Sequence, residues 1–357
     1  MKQCVTRQDG IKNLKQETGP VPKPGDEEVL VKILAVSLNY RDTEVCNGEY
    51  GHHKSVESDK SNLVPCSDMC GTIVSVGSNA TIWKTGDRVL STFNQTHLSG
   101  QILEENMSSG LGLPLQGVLT DYRVFPEYGL VKVPNYLSDE EACTLPIAGV
   151  TAWTSINWMR PIGDPVTGSD FTILLQGTGG VSIAGLQIAK ACDLRIIITS
   201  SSDKKLEQAK ALGADHTINY KTNPDWQNTV LEITNGKGAD FIIETGGALT
   251  LAKSFECVAF GGCIAAVGYL SGKEDAEGNR MNTNVLALKR NVTLKGILNG
   301  PRDRFEEMLR LYEEKKIQPV VDSVFPFDEA KHAMLYLESG GHIGKVVVRV
   351  ANPQTVP

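Results

Sequence analysis

No stretch of this 357-residue sequence approaches the roughly 20 consecutive apolar residues that a membrane-spanning helix needs, so no membrane partner is expected. The polar start, MKQCVTRQDGIKNLK, lacks the apolar core of a signal peptide. A basic surplus is missing as well. The formal net charge is −7 and no Lys/Arg stripe is visible, which argues against a nucleic-acid partner. No cluster of cysteines marks a disulfide framework: the eight are scattered singly through strand-like and helical segments and read as reduced thiols of a cytoplasmic protein. No internal repeat or low-complexity segment is evident. What remains, 41% hydrophobic and 22% charged residues, is the balance of a soluble globular protein, long enough for two domains.

The most informative stretch runs from Phe171 to Tyr220. It opens on an apolar run, Phe171 to Leu175, of the length of a buried parallel strand. The turn Gly177-Thr178-Gly179-Gly180-Val181-Ser182 follows, then a helical pattern with Ile183, Leu186, Ile188 and Ala189 on its apolar face, then a second strand, Arg195 to Thr199. Glycines in such a βαβ unit let backbone amides approach a pyrophosphate, and the helix N-terminus adds unpaired N–H groups and a positive dipole end. Ser182 stands where the third glycine of G-x-G-x-x-G would be, a place that serves helix–strand packing. The turn therefore predicts a dinucleotide site. Where NAD-specific sites carry an acid, at the end of the second strand, this chain has Ser200-Ser201-Ser202, then Asp203, Lys204 and Lys205. Hydroxyls and lysines suit a 2′-phosphate, so the cofactor expected is NADPH, with Asp203 read as a helix N-cap.

Residues 1 to about 147 read instead as short strands broken by turns, among them Glu28 to Ser37 and Ser67 to Gly77, and predict a compact β-rich, barrel-like domain. Two stretches read as loops. One is His52 to Asn62; the other, Asn94 to Gly117, reads as a surface lobe or a lid. Ser138 to Asn157 turns helical behind a Ser138/Glu141 capping box. Further strands are expected at Ala239 to Glu244, Gly262 to Val267 and Val292 to Ile297, and a helix from Arg302 to Lys315. A last strand, Lys345 to Val350, is expected to return to the first domain.

The stretches SLNYRD, GTIVSVG, GDRVL, LPIAGVTAW, QGTGGVSIAGLQIAK, SSSDKKLEQAKALGADHTINY and HIGKVVV together resemble the medium-chain dehydrogenase/reductase superfamily, most closely its zinc-independent, NADPH-dependent quinone oxidoreductase and enoyl reductase branch. The resemblance implies an α/β fold: a β-rich GroES-like catalytic domain of residues 1–147 and 301–357, with an inserted Rossmann doubly wound parallel sheet of residues 148–300. It implies that Gly177, Thr178, Gly179, Gly180 and Val181 meet the cofactor pyrophosphate. Ser200, Ser201, Lys205 and Tyr220 would surround the 2′-phosphate. Gly268 and Tyr269 would flank the nicotinamide ribose, Leu298 and Asn299 the nicotinamide amide, and Thr151 the ring. Lys345 would approach the pyrophosphate from the returning domain. Dimerisation is common in the superfamily, and no interface is located here.

Zinc alcohol dehydrogenases of this superfamily use a catalytic Cys, His and Cys. The matching positions here are Asn39, Ser67 (followed by Asp68) and Ile147, and amide, hydroxyl and alkyl groups do not replace thiolate and imidazole. The stretch matching the structural-zinc lobe, Asn94 to Gly117, has no cysteine. No metal is expected. Cys46, Cys66, Cys70, His52 and His53 read as core thiols and loop histidines. Without a Lewis acid, the expected substrate carries its own electron sink: a quinone or an α,β-unsaturated carbonyl. Asn39 is the first candidate for the donor to the developing enolate oxygen, with Tyr40 and Tyr50 as further candidates for proton donation. Two alternatives stay open: a zinc-free carbonyl or alcohol oxidoreductase, and a non-catalytic NADPH-binding protein. Tyr312 and Lys316 have the Tyr-x-x-x-Lys spacing of short-chain reductases, but lie outside any βαβ context and read as surface-helix residues.

Overall fold

A computed structural model describes residues 1–51, 62–274 and 281–351. The chain divides into two compact units, Met1–Val150 with Gly300–Pro357, and Thr151–Asn299.

In the second unit six parallel strands lie in the spatial order His216–Asn219, Arg195–Ser200, Thr172–Gln176, Ala239–Glu244, Val258–Ala266, Thr293–Gly296. By order of appearance this is 3-2-1-4-5-6, the doubly wound Rossmann arrangement. Thr172–Gln176 is buried at every residue, which explains its near-continuous apolar sequence. The helix Gly180–Ala191 packs Ile183, Leu186, Ile188 and Ala189 inward. Leu174, Ile197, Ile242 and Ile264, one from each of four adjacent strands, form the middle of the core with Trp226 and Phe255. The strand order reverses between Thr172–Gln176 and Ala239–Glu244, so the loops after these two strands mark the place where such sheets bind ligands.

The first unit is β-rich. Its seven-stranded sheet runs Val321–Pro326, Lys345–Arg349, Glu28–Ser37, Asp68–Val76, Arg88–Ser91, Leu130–Lys132, with Tyr122–Pro126 also paired to Glu28–Ser37. Lys2–Val5 and Lys15–Thr18 form a separate hairpin. Glu28–Ser37 is the hub. Its register with the returning strand is Val347↔Ser37, Val348↔Val36 and Arg349↔Ala35. On its other edge Ser37 faces Asp68. These two registers bring Lys345, Asn39, Ser67 and Asp68 to one end of three neighbouring strands, although they come from opposite ends of the chain.

Four details differ from the sequence reading. The cap of Asp203–Leu212 is Ser202, whose hydroxyl accepts from the Lys205 N–H; Asp203 is the first helical residue. Ser138 to Asn157 is not one helix. A four-residue turn, Asp139–Ala142, keeps the Ser138/Glu141 capping box, and a wider π-type turn, Leu145–Gly149, containing Pro146, leads into Val150–Asn157. Tyr312 is not a surface residue: it is fully buried, facing inward from the helix Arg302–Lys315. Residues 94–117 are anchored rather than lid-like. Gln95, His97, Asn106, Ser109, Leu111 and Leu113 are buried, and the Arg41 guanidinium donates to the carbonyls of Leu111 and Leu113. The expected loop from His52 lies, through residue 61, outside the described residues. All eight cysteines are free and buried. Among the described residues no helix is long and apolar enough to cross a membrane.

Candidate active site

In the second unit the glycine turn is shaped for close approach. Gly177 has φ of +75°, a left-handed backbone that favours glycine. Gly179 is extended (φ −79°, ψ −174°), and a Cβ built on either residue would meet no protein atom within 4 Å. Gly179 is also the N-cap of Gly180–Ala191 and offers no side-chain cap, so the first N–H groups of the helix await another acceptor. Ser182, in the third-glycine position, is buried and donates its hydroxyl to the Gln176 carbonyl at 2.6 Å. The close helix–strand approach is supplied one turn later by Gly185, where a Cβ would come within 3.1 Å of Leu175 and 3.2 Å of Ile243.

The neighbouring loops are tied to the same turn. The Gln176 amide donates to Glu244 at 2.7 Å, and its oxygen accepts from the N–H groups of Thr245 and Gly246. Glu244, buried, accepts from Ser254, Thr250 and the N–H groups of Gly246 and Gly247. This network fixes the loops on both sides of the point where strand order reverses. Sequence reasoning missed it, because a Gln and a Glu at strand ends carry no motif.

Ser200 is buried, sits 3.4 Å from the Thr178 hydroxyl, and accepts the Tyr220 N–H at 3.1 Å through its carbonyl. Tyr220 is exposed, and Ser201 and Lys205 are half-buried. Asp203, the one acid nearby, is engaged by the Asn219 amide at 2.7 Å. Thr151 and Asn299 meet directly: the Thr151 hydroxyl donates to the Asn299 amide oxygen at 3.3 Å, and Asn299 holds a φ of +116°. Leu298 beside them is exposed, and Gly268 and Tyr269 are half-buried. The open glycine turn, the uncapped helix N-terminus and the hydroxyl-lined strand end fit a dinucleotide.

In the first unit the structure brings Asn39, Ser67, Asp68, Ile147 and Lys345 together. Asn39 precedes the helix Tyr40–Asn47, and its N–H donates to Asp42 at 2.8 Å. The Asp68 carboxylate accepts from the Ser67 hydroxyl at 2.7 Å and from the Ile147 N–H at 3.0 Å. Lys345 turns its ammonium inward, onto the Leu38 carbonyl and the Asn39 amide oxygen, both at 2.5 Å. Asn39, Ser67, Asp68 and Lys345 are buried, and Ile147 is half-buried. Burial draws the Lys345 ammonium below its ordinary value, and the charges of Asp68 and Asp42 work against that. Burial raises Asp68, offset by Lys345 and by its hydrogen bonds. The amide nitrogen of Asn39 lies toward Asp68 without satisfying hydrogen-bond geometry, and no described residue partners it.

Asp42 is completely buried; its Oδ1 has no hydrogen-bond partner and stands 3.9 Å from the Arg41 guanidinium. Burial pushes its carboxyl from 3.8 up to about 6, although Arg41 and the Asn39 N–H favour the anion. A raised folded-state value means that the anion is disfavoured in the fold, so this group removes stability as pH rises from about 4 through about 6. Asp42→Asn keeps an acceptor for the Asn39 N–H and does not titrate. Its stability relative to the wild type is expected to rise between pH 4 and pH 7, by at most on the order of 3 kcal/mol. Chemical denaturation of both proteins at the two pH values checks this; a flat difference would contradict it.

Of the two tyrosines, Tyr40 is exposed at the start of its helix, and Tyr50 lies beneath the Arg41 guanidinium, 4.6 Å from the ring centre, with Phe93 at 4.8 Å. Tyr50 also packs on Val45, Leu63 and Leu113.

Two family models match the chain: an alcohol dehydrogenase GroES-like domain over residues 25–135, and a zinc-binding dehydrogenase domain over residues 180–314. A zinc-type alcohol dehydrogenase-like protein of Schizosaccharomyces pombe is 41% identical over 96% of each chain. The chloroplastic quinone-oxidoreductase QR1 of Triphysaria versicolor is 28% identical over 95% of this chain and 94% of its own. A solved NAD-dependent alcohol dehydrogenase is 33% identical, with a TM-score of 0.84 over 98% of this chain and all of that one. The chain belongs to the medium-chain dehydrogenase/reductase superfamily and is an oxidoreductase of that class. Its residues do not fit the zinc those names carry. Asn39 has spent its amide oxygen on a lysine, Ser67 donates to Asp68, Ile147 offers an alkyl group, and a buried ammonium stands among them. Among the described residues no group of three or more His, Cys, Asp or Glu is placed to hold a metal ion.

Proposed function

We propose that this protein is an NADPH-dependent, metal-free reductase of quinones or α,β-unsaturated carbonyl compounds. One observation carries the reading: the three positions that match zinc ligands converge in the fold, and all three carry groups that cannot serve as those ligands. A saturated ketone depends on an external Lewis acid far more than a conjugated acceptor, whose π-system takes up the charge itself.

When bound, NADPH supplies the hydride. The chain's part is to bind, orient and polarise. Backbone amides from Gly177 to Val181 hold the pyrophosphate at the helix N-terminus. Ser200, Ser201, Lys205 and Tyr220 hold the 2′-phosphate. Thr151, Gly268, Tyr269, Leu298 and Asn299 set the nicotinamide end. The Asn39 amide N–H meets the substrate oxygen on which negative charge grows. A donor poised there acts only as charge develops, which is the interaction that raises kcat rather than lowering KM.

NADPH oxidation with a quinone or an enal, and none with a saturated ketone, is the expected pattern; turnover of the ketone alone would contradict the acceptor class. Ser200→Asp tests the cofactor. A carboxylate at that strand end repels the 2′-phosphate, so the Kd for NADPH is expected to rise roughly 10- to 100-fold while that for NADH changes little. Cofactor fluorescence titration measures both. Equal effects on the two cofactors would contradict the 2′-phosphate assignment.

A further inference from the structure

The Lys345 ammonium is fully enclosed, with its contacts in the fold directed at Asn39 and Leu38 rather than at solvent. An ammonium has three donors and no acceptor, so the atom of Asn39 that meets it is the amide oxygen. That contact fixes the amide in one of its two orientations. Its nitrogen then lies on the Asp68 side, buried and outside hydrogen-bond geometry with any described residue. An unpaired buried N–H is costly, and this one is left with donor capacity for a further acceptor.

Resting on the reductase reading above, we propose that Lys345 is a positioning residue for the reduction: it locks the Asn39 amide so that the N–H, not the carbonyl, is presented to the substrate oxygen, and it polarises that N–H from behind. The chain thus carries its own fixed cation beside the three positions that match zinc ligands. The lysine does not touch the substrate and acts through Asn39 alone. The same geometry defines the ligand: a compact acceptor oxygen that gains negative charge, such as the carbonyl of an enone or a quinone, and not a donor hydroxyl.

The groups facing the ammonium are Asp68 at the start of Asp68–Val76, Asp42 on the helix after Asn39, and the thiols of Cys143 and Cys66. Burial brings Lys345 below its ordinary value, so it loses its proton earlier on the alkaline side than an exposed lysine does. The neutral amine can accept as well as donate, and the lock on the amide is released. Wild-type kcat is therefore expected to fall at alkaline pH through a limb that Lys345→Met lacks.

The test is a double-mutant cycle of Lys345→Met and Asn39→Ala, read as kcat and KM on an acceptor that the wild type reduces, together with the crystal structure of Lys345→Met. Lys345→Met is expected to lower kcat about 10- to 100-fold with little change in KM, and to cost less than about 3-fold further in the Asn39→Ala background, because its effect passes through the amide. In the crystal the Asn39 amide turns, its nitrogen taking the freed Leu38 carbonyl. If Lys345→Met does not fold because it leaves Asp68 uncompensated, Asp68→Asn with Lys345→Met removes that charge, Asp42 keeping Arg41, and is read the same way. Multiplying losses, an unchanged kcat, or an alkaline limb kept in Lys345→Met would overturn the proposal. An unturned amide in the crystal would do so without reference to activity. A wild type that reduces no conjugated acceptor fails the reductase reading instead, and the amide orientation in Lys345→Met then still decides the lock.

Discussion

Gly179→Val is expected to fold as the wild type does and to lose its dinucleotide. The two halves of that expectation come from different observations. Gly179 is extended, with φ of −79°, so the backbone accepts any side chain, and a Cβ there meets no protein atom within 4 Å. Nothing in the fold itself opposes the change, and the Tm without cofactor should stay within a degree or two of wild type. In the proposed site, the space a valine would fill is the space that a dinucleotide pyrophosphate would need in order to reach the amides of Gly179 to Val181. The Kd for NADPH is expected to rise at least about 100-fold, and the rise in Tm that saturating NADPH gives the wild type should vanish. Gly177→Val would be a poor substitute for this experiment, since its φ of +75° strains any side chain whether or not a cofactor binds. Gly185 would fail for another reason: its Cβ would press on Leu175 and Ile243 and move the helix. Wild-type NADPH affinity in a well-folded Gly179→Val protein would mean that the glycine turn is not the pyrophosphate site.

Asn39→Ala is the second large effect. Removing one preorganised donor to a developing oxyanion typically lowers kcat by about 10²- to 10³-fold. The same loss is expected here, with NADPH affinity unchanged, because Asn39 belongs to the β-rich unit and not to the one that carries the glycine turn. The substitution also takes an acceptor from Lys345, which keeps the Leu38 carbonyl. A stability loss of about 1–3 kcal/mol should therefore accompany the kinetic one. Stopped-flow rates, with Kd and Tm measured on the same samples, separate the two. A kcat within a few-fold of wild type would remove Asn39 from the chemistry.

Much of this fold was legible because its elements are local. The strand Thr172–Gln176, the glycine turn and the helix after it lie within some twenty residues and each states its own period. Glu28–Ser37 and Ala239–Glu244 were bounded correctly for the same reason. Lys345 was harder. Its sequence neighbours, a glycine and a run of valines, point to a strand start near a phosphate. Only the antiparallel register of Lys345–Arg349 against Glu28–Ser37 shows that its ammonium reaches Asn39, 306 residues away. Tyr312 was misread because a helix rich in Glu and Arg looks solvated all round; Phe305, Met308 and Tyr312, at spacings of three and four, form the buried stripe. For residues 94–117 the sequence leaves a surface lobe and a lid both open, because polar composition marks a loop but says nothing of what holds it, and Arg41 lies more than fifty positions upstream of Asn94.

The most direct test of the account is the reduction of an enal by NADPH, catalysed by protein dialysed against a strong chelator, with bound metal assayed on the same sample. Undiminished turnover at metal contents far below one ion per chain is the expected result if, as proposed, Asn39 and the lysine behind it take the place of a Lewis acid. Activity that falls with the chelator and returns with added zinc would contradict the account at its centre.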